Sequence, residues 1–193
     1  KTKDATKNYA KILEFFVICG ALILLVVVVF VDVLKLILIP NEDYWEAMKV
    51  VPILLLAYLF LGIYHNLSVW YKITDRTKFG AYISVIGAGI TLLVNLIFIP
   101  SFSYMASAVA TLVAYFSMTV LSYYFGRKHY PIPYNIKKIG IYLVLAISLS
   151  ALSFYQFRAQ YFIGSAMIGL LLLIIWSNEK TTLKQFLKPS HDH

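Results

Sequence analysis

Six long apolar stretches, separated by short polar segments, fill almost the whole chain. A helix rises about 1.5 Å per residue, so about 20 apolar residues cross the roughly 30 Å hydrocarbon layer of a bilayer. The first four stretches reach that length, and the last two reach it if flanking Tyr and Ser residues lie among the headgroups. The pattern predicts an all-α, polytopic transmembrane helical bundle of six spans. These spans are residues 13–31, 50–71, 79–99, 104–125, 139–155 and 162–176.

Composition agrees with a membrane protein. The 193 residues are 61% hydrophobic and 13% charged, against about 25% charged residues in an average soluble domain. The connections between the stretches are short, so they leave no room for a separate soluble domain. We expect residues 1–11 to be a cytoplasmic lead-in that forms an internal loop of a longer chain. Residues 12–177 form the six-span lobe, and residues 178–193 form a cytoplasmic tail.

Basic residues lie mainly at one end of the predicted spans. Cytoplasmic segments collect Lys and Arg because positive segments are hard to translocate. We therefore expect both termini to face the cytoplasm. This topology explains the net charge of +8, so we expect membrane lipids as partners and no nucleic acid. Of 17 Lys and Arg, only Lys35, Lys49 and Arg158 fall at the opposite end. The cytoplasmic set is Lys1, Lys3, Lys7, Lys11, Lys72, Arg76, Lys78, Arg127, Lys128, Lys137, Lys138, Lys180, Lys184 and Lys188.

Small residues form a stripe at helical spacing on the third and fourth predicted spans. In lipid, helices associate through close contact of small side chains, because no hydrophobic force acts between them. The link at residues 100–103 is so short that these two spans form an antiparallel hairpin. The stripes therefore predict helix packing, although Thr91 and Asn95 also suit the wall of a polar cavity. The residues assigned to packing are Gly80, Ser84, Gly87, Ala110 and Ala114.

The second predicted span has one polar face, which becomes more polar toward the cytoplasm. Polar side chains avoid hydrocarbon, so this face is expected to look into the bundle or into a hydrated cavity. His65 would suit proton coupling, because histidine titrates near physiological pH. The alternative is a histidine satisfied by a neighbouring hydroxyl or carbonyl group. With the polar residues of span three, the candidate cavity residues are Tyr58, His65, Asn66, Ser68, Thr91 and Asn95.

The remaining charges lie near span ends. Asp32 and Lys35 are three residues apart, so they can pair along a helix. Glu14 has the same relation to Lys11, and Arg158 is expected to contact a lipid headgroup. Motifs for catalysis are absent, and the one cysteine rules out a metal site built from several cysteines. We expect no catalytic residue, metal or cofactor, and therefore no enzyme.

Three stretches carry a resemblance to a known family. They are YAKILEFFVI, DYWEAMKVVPILLLAYLFLGIYHNLSVWYKITDRTKFGAYISVIGAGITLLVNLIFIP and SYMASAVATLVAYFSMTVLSYYFGRKHYPIPYN, between Tyr9 and Asn135. These stretches, in this order along the chain, resemble the C-terminal portion of bacterial polysaccharide-biosynthesis (O-antigen-type) flippases. Such flippases belong to the multidrug/oligosaccharidyl-lipid/polysaccharide exporter superfamily. The diagnostic parts are the charged turn 72–78, Asn95 before Pro100, and the small residues that follow. Such flippases usually have glycines after that proline, where this chain has Ser101, Ser103 and Ala106.

The resemblance implies half of a two-lobed flippase in the bacterial cytoplasmic membrane. The two lobes would move a lipid-linked oligosaccharide between leaflets, so the chain's partners would include this substrate and a missing N-terminal lobe. Transporters built from repeats place the substrate between those repeats. A drug/cation antiporter of the same superfamily is the first alternative. It would be expected to need a carboxylate in mid-membrane, and none is seen. A membrane-embedded glycosyl- or acyltransferase is a weaker alternative, because the loops lack acid/base groups.

Overall fold

The structure is a computed structural model that describes residues 2–187, with side chains from 4 to 179. The chain is 88% helical and has no strand in this part, so the all-α prediction is confirmed. A 3-10 helix at Glu42–Val50 precedes α3. The α-helices are α1 (Thr2–Val29), α2 (Val31–Leu38), α3 (Val51–Leu67), α4 (Val69–Ile73), α5 (Lys78–Phe102), α6 (Tyr104–His129), α7 (Ile136–Tyr155) and α8 (Tyr161–Leu187).

Six helical segments in the described part are long and apolar enough to cross a membrane, as the hydrophobic pattern predicts. The second span combines the 3-10 helix with α3 and α4. Two ends differ from the predictions. Residues 2–11, expected as a loop, are the first turns of α1, and α8 continues to Leu187, into the expected tail. Extending an existing helix costs little, because each further residue adds one hydrogen bond. The end of the predicted tail lies outside the described residues. The six segments are Asp4–Val29, Glu42–Ile73, Lys78–Phe102, Tyr104–His129, Ile136–Tyr155 and Tyr161–Glu179.

The hairpin between α5 and α6 is tighter than expected. A four-residue link was predicted at 100–103, but α5 continues through Pro100 to Phe102. Only Ser103 separates the two helices, and it has a φ of 49°. This left-handed backbone region disfavours residues with a Cβ atom. The serine therefore adopts a backbone conformation that glycine adopts more readily.

The helices form two sets that meet where α1 packs against α3. In one set, α6 packs extensively against both α3 and α5. In the other set, α1 packs against α7 and α8. The largest buried apolar cluster joins α1, α3, α7 and α8, whereas a smaller cluster of Tyr64, Ile83 and Met118 joins α3, α5 and α6.

Candidate functional site

The polar face of α3 is divided between exposed and buried side chains. Tyr58 is 58% exposed, and its ring lies 6.0 Å from that of Tyr115 in α6. His65 is also exposed. Asn66 donates from Nδ2 to the Gly62 carbonyl oxygen at 2.9 Å. Tyr58 and His65 therefore lie on the surface of the bundle, while Asn66 is satisfied by its own helix.

Ser68 lies at the break between α3 and α4 and is fully buried. Its Oγ donates to the His65 carbonyl oxygen at 2.6 Å. This bond satisfies the hydroxyl within the helix, as is common for serine in apolar surroundings. Ser68 is thus placed inside the bundle, on a different side from the exposed ring of His65.

The polar positions of α5 are half-buried. Thr91 donates from Oγ1 to the Gly87 carbonyl oxygen at 3.0 Å. The Oδ1 atom of Asn95 is buried and has no hydrogen-bond partner in the described part of the chain. No hydrogen bond among the described residues joins either side chain to the polar face of α3. An unpaired buried amide oxygen is costly, so Asn95 is a position where a ligand, water or further protein group would be accommodated.

The packing residues of the hairpin lie against different partners. A Cβ atom added at Gly87 would come 2.4 Å from the Met118 sulfur of α6, so this glycine permits close approach of the two helices. Ala110 and Ala114 of α6 are both buried. By contrast, Gly80 lies against the ring of Tyr71 in α4. Ser84 is exposed.

A buried tryptophan joins α4 to α6, and the sequence analysis did not single it out. Trp70 is 1% exposed, and its Nε1 donates to the Ser122 carbonyl oxygen at 3.1 Å. Its ring stacks on His129 with centroids 5.5 Å apart. One turn along α6, Thr119 donates to the Phe60 carbonyl oxygen at 2.9 Å. A tryptophan at the polar end of an apolar stretch is a weak signal, because it equally suits a membrane interface.

Four side chains form an ionic cluster between α1, α7 and α8. Lys138 forms ion pairs with Glu14 and Glu179. Tyr142 donates from its hydroxyl to Glu179 at 3.0 Å. The sequence predicts that Glu14 pairs with Lys11. The structure pairs Glu14 with Lys138 on another helix, a contact that the sequence did not predict. The cluster lies where α7 begins and the apolar part of α8 ends. The order of the spans places these residues at one end of the bundle, so topology could have been used to match them.

A second ionic group joins the end of span one to the turn between α7 and α8. Arg158 donates from Nε and Nη2 to the two carboxylate oxygens of Asp32, each at 3.0 Å. Arg158 therefore has a carboxylate partner within the protein that the sequence did not predict. Asp32 also pairs with Lys35 at 3.0 Å, as the three-residue spacing predicts. The hydrogen bonds from Arg158 lower the pKa of Asp32 to about 2. The same bonds raise the pKa of Arg158.

Six apolar helical spans with polar side chains on internal and lateral faces define a multi-pass α-helical membrane protein. The sequence model of the MatE family matches residues 1–97, just over half of the chain. The chain belongs to the MatE family, whose members are membrane transporters and not enzymes. The expectation of an exporter-superfamily transporter is confirmed at this level. No match was found among curated proteins or among solved structures.

Proposed function

We propose that this transporter moves a lipid-linked oligosaccharide between the leaflets of the bacterial cytoplasmic membrane, for surface polysaccharide synthesis. The observation that carries the proposal is the chemistry of the helix faces. Between their ends, the described spans offer hydroxyl, amide, imidazole and aromatic groups. Their carboxylates lie at or near the ends of the apolar runs, as Glu14 and Glu179 do. Hydroxyl and amide groups hydrogen-bond sugar hydroxyls, and tyrosine rings pack on sugar faces while their hydroxyls remain polar.

A drug/cation antiporter of the same family is the second candidate. An antiporter that couples transport to a cation needs an acidic side chain within the membrane to bind that cation. Because an ionisable group is costly in lipid, one found there usually has a function. In the part of the chain that the structure describes, no carboxylate lies in the middle of an apolar run: Glu14, the deepest in span one, lies where the apolar run 13–31 begins and is paired with Lys138. This difference favours the oligosaccharide substrate, and the two functions are distinguished by separate transport measurements.

The proposed orientation places both ends of this chain in the cytoplasm. The turn between α4 and α5 and the loop between α6 and α7 lie at the same end of the spans, and both carry several basic residues. Among the residues that the structure describes, the opposite end holds only Lys35, Lys49 and Arg158 as basic residues. Moreover, Asp32 pairs with Lys35 and Arg158, and Glu46 pairs with Lys49, so two carboxylates offset most of the charge of these three cations. The uncompensated positive charge therefore lies almost wholly at the proposed cytoplasmic end.

The substrate path needs a second lobe in this proposal. Tyr58 and His65 are exposed on the side of the bundle, where contact with lipid would leave their polar atoms unsatisfied. A second lobe of the same protein, facing α3, would enclose them in a hydrated cavity. No Lys or Arg of the described spans lies near mid-membrane. The cations that meet the substrate's phosphates would therefore come from that second lobe.

The function is tested in a bacterial strain that lacks its own polysaccharide flippase. Co-expression of this chain with the second lobe restores surface polysaccharide, while the six-span chain alone inserts but does not restore it. Resistance to cationic drugs, measured in an efflux-deficient strain, remains unchanged. Drug resistance without polysaccharide would replace the proposal by the antiporter. Full restoration by the chain alone would contradict the two-lobed cavity.

Matched variants test the cavity residues within the same strain. His65→Ala and Asn95→Ala are expected to reduce polysaccharide export, because each removes a polar group from the proposed cavity. Leu96→Ala changes an exposed side chain next to Asn95 on the same helix and is expected to retain export. Protein levels in the membrane are measured in parallel. Equal export by all three variants, at equal levels, would remove His65 and Asn95 from the substrate path.

A further inference from the structure

A cleft opens at the end of the bundle where α6 ends and α7 begins. Its volume is about 490 Å³, and its walls come from the last turns of α6, the connecting segment and the first turn of α7. Pro131 and Pro133 lie in this connecting segment, which is neither helix nor strand and has limited backbone freedom. The cleft is separate from the polar faces of α3 and α5, and nothing in the proposed transport path uses it.

The cleft contains two basic side chains without acidic partners. Arg127 and Lys137 both line it, and both are exposed. No carboxylate in the described part of the chain forms an ion pair with either of them. The adjacent Lys138 differs, because it is held by Glu14 and Glu179. Two uncompensated cations at one cleft favour an anion, and Arg is suited to bidentate contact with a phosphate group.

Other features of the cleft agree with a negatively charged ligand. Asn135 and Ile136 place the N-terminal end of α7 in its wall, where the helix dipole is positive. The buried hydroxyl of Tyr134, which also lines the cleft, has no hydrogen-bond partner in the described part of the chain, so its O–H can donate to an anion. Both effects are smaller than that of the two side-chain charges.

The same cleft has an apolar wall, which distinguishes an amphiphile from a small ion. Tyr123 and Tyr134 line it with ring centroids 6.5 Å apart, and Ile132 and Ile136 add aliphatic surface. The neighbouring spans end at His129 and resume at Ile136, so the cleft lies at the level where lipid headgroups meet the acyl chains. A free phosphate ion would leave this apolar surface in water.

We propose that the cleft binds the phosphate of an anionic glycerophospholipid, with Arg127 and Lys137 on the phosphate and the aromatic wall against the glycerol and upper acyl region. The lipid belongs to the leaflet at this basic end of the bundle. The site requires only that the six spans are in a membrane, so it does not depend on the transported substrate. Its failure would leave the proposed flippase function intact, and failure of that function would leave the site intact.

The test measures lipid retained by the purified protein. The protein is transferred to detergent containing either phosphatidylglycerol or phosphatidylcholine, and retained lipid is counted by native mass spectrometry. The unsubstituted protein is expected to retain more phosphatidylglycerol than phosphatidylcholine. Arg127→Gln and Lys137→Gln each lower its affinity by about tenfold or more, the usual effect of losing a hydrogen bond to a charged group. Lys128→Gln and Arg76→Gln, exposed basic residues at the same end but outside the cleft, change it by less than about twofold.

Each outcome decides the proposal. Loss of phosphatidylglycerol only in the cleft variants, with unchanged thermal unfolding, supports it. Equal loss in Lys128→Gln and Arg76→Gln would mean general attraction to basic residues, and no loss in any variant would mean no site. Either result overturns the proposal. Inorganic phosphate at the same concentration is the competing ligand in a further arm. If it displaces the lipid, the site belongs to free phosphate and the lipid assignment is wrong.

Discussion

The indole nitrogen of Trp70 donates a hydrogen bond to the carbonyl oxygen of Ser122, 52 residues further along the chain. This bond ties α4 to the inner part of α6, at a point where α6 has no bulky side chain. Gly126, one turn beyond Ser122, lies so close to the indole that an added Cβ would come 2.8 Å from Cδ1. The tryptophan thus fills the space that the small residues of α6 leave.

Substitutions at Trp70 separate the hydrogen bond from the packing. Trp70→Phe keeps an aromatic ring and removes the N–H donor, so we expect a loss of about 1 kcal/mol in unfolding free energy. Trp70→Ala also leaves a cavity and is expected to cost about 3–5 kcal/mol. Thermal unfolding in detergent compares the two variants. Equal destabilisation by both would mean that the ring contributes little beyond its N–H group.

Gly87 and Met118 provide a test of the hairpin interface. Gly87→Leu places a large side chain where the Met118 sulfur lies, so it is expected to destabilise the protein by about 1–3 kcal/mol. Met118→Ala in the same chain makes room and is expected to recover part of the loss. The control is Leu92→Phe on the same helix, where the side chain is 64% exposed. A loss in Leu92→Phe as large as in Gly87→Leu would contradict the interface.

Substitution of Ser103 by glycine is expected to make the protein more stable. Its φ of 49° favours glycine, so Ser103→Gly should raise the unfolding free energy by about 1 kcal/mol. Ser101 is the matched control, because it is an exposed serine within α5, two residues earlier. Glycine within a helix costs about 1 kcal/mol relative to alanine, so Ser101→Gly should lower stability. Chemical denaturation of the two variants measures these opposite signs, and the same sign for both would contradict the strain at Ser103.

The ion pair of Asp32 with Arg158 predicts a dependence of stability on pH. Because the pKa of Asp32 is lowered to about 2 from 3.8, its contribution is complete above about pH 4 and is lost as pH falls through 2. Asp32→Asn is therefore expected to cost about 1–2 kcal/mol at pH 7 and progressively less below pH 4. Unfolding at a series of pH values measures the difference from the parent.

The control for this prediction is the exposed pair of Glu46 and Lys49. Exposed ion pairs contribute little, so Glu46→Gln is expected to change the unfolding free energy by less than about 0.5 kcal/mol at any pH from 7 to 2. A constant cost of Asp32→Asn from pH 7 to pH 2 would show that the carboxylate charge is not what stabilises the turn.

The orientation of the spans is measured by labelling single cysteines. Cys19, the one cysteine of the sequence, is first replaced by alanine. Cysteines introduced at Asp75 and Asn135 should react with impermeant thiol reagents only from the cytoplasmic side, and one at Asp43 only from outside. Reaction at Asp43 from the cytoplasm would reverse the orientation and move the proposed lipid cleft to the other leaflet.

Hydropathy was sufficient to predict the six spans, because the length of an apolar run decides whether a helix can cross a bilayer. It did not predict that α1 begins at Thr2 or that α8 reaches Leu187, since helices continue beyond the part that lipid covers. The near-absence of a link between α5 and α6 was also missed. Pro100 was taken as the end of a helix, but it lies inside the last turn of α5, although its ring removes one backbone hydrogen bond there.

Contacts between distant spans could be predicted much less well. The pairing of Glu14 with Lys138 depends on which helices are neighbours, and hydrophobic periodicity carries no information on that order. The polar spacing on α3 placed His65 and Ser68 on one face, yet the structure exposes His65 and buries Ser68. The break in the helix at Ser68 accounts for part of this difference, because periodicity assumes one continuous helix.

The two ionic groups on the first span have a mechanical consequence. Glu14 is tied to Lys138 near one end, and Asp32 is tied to Arg158 just beyond the other end, so both groups connect the same span to the α7 segment. If α1 slid along α7 by one helical turn, both ion pairs would have to break at the same time. A tilt of α1 and α7 together, as a rigid body, would leave both ion pairs intact. A change of shape in this protein is therefore expected to move α1 and α7 together, as one unit.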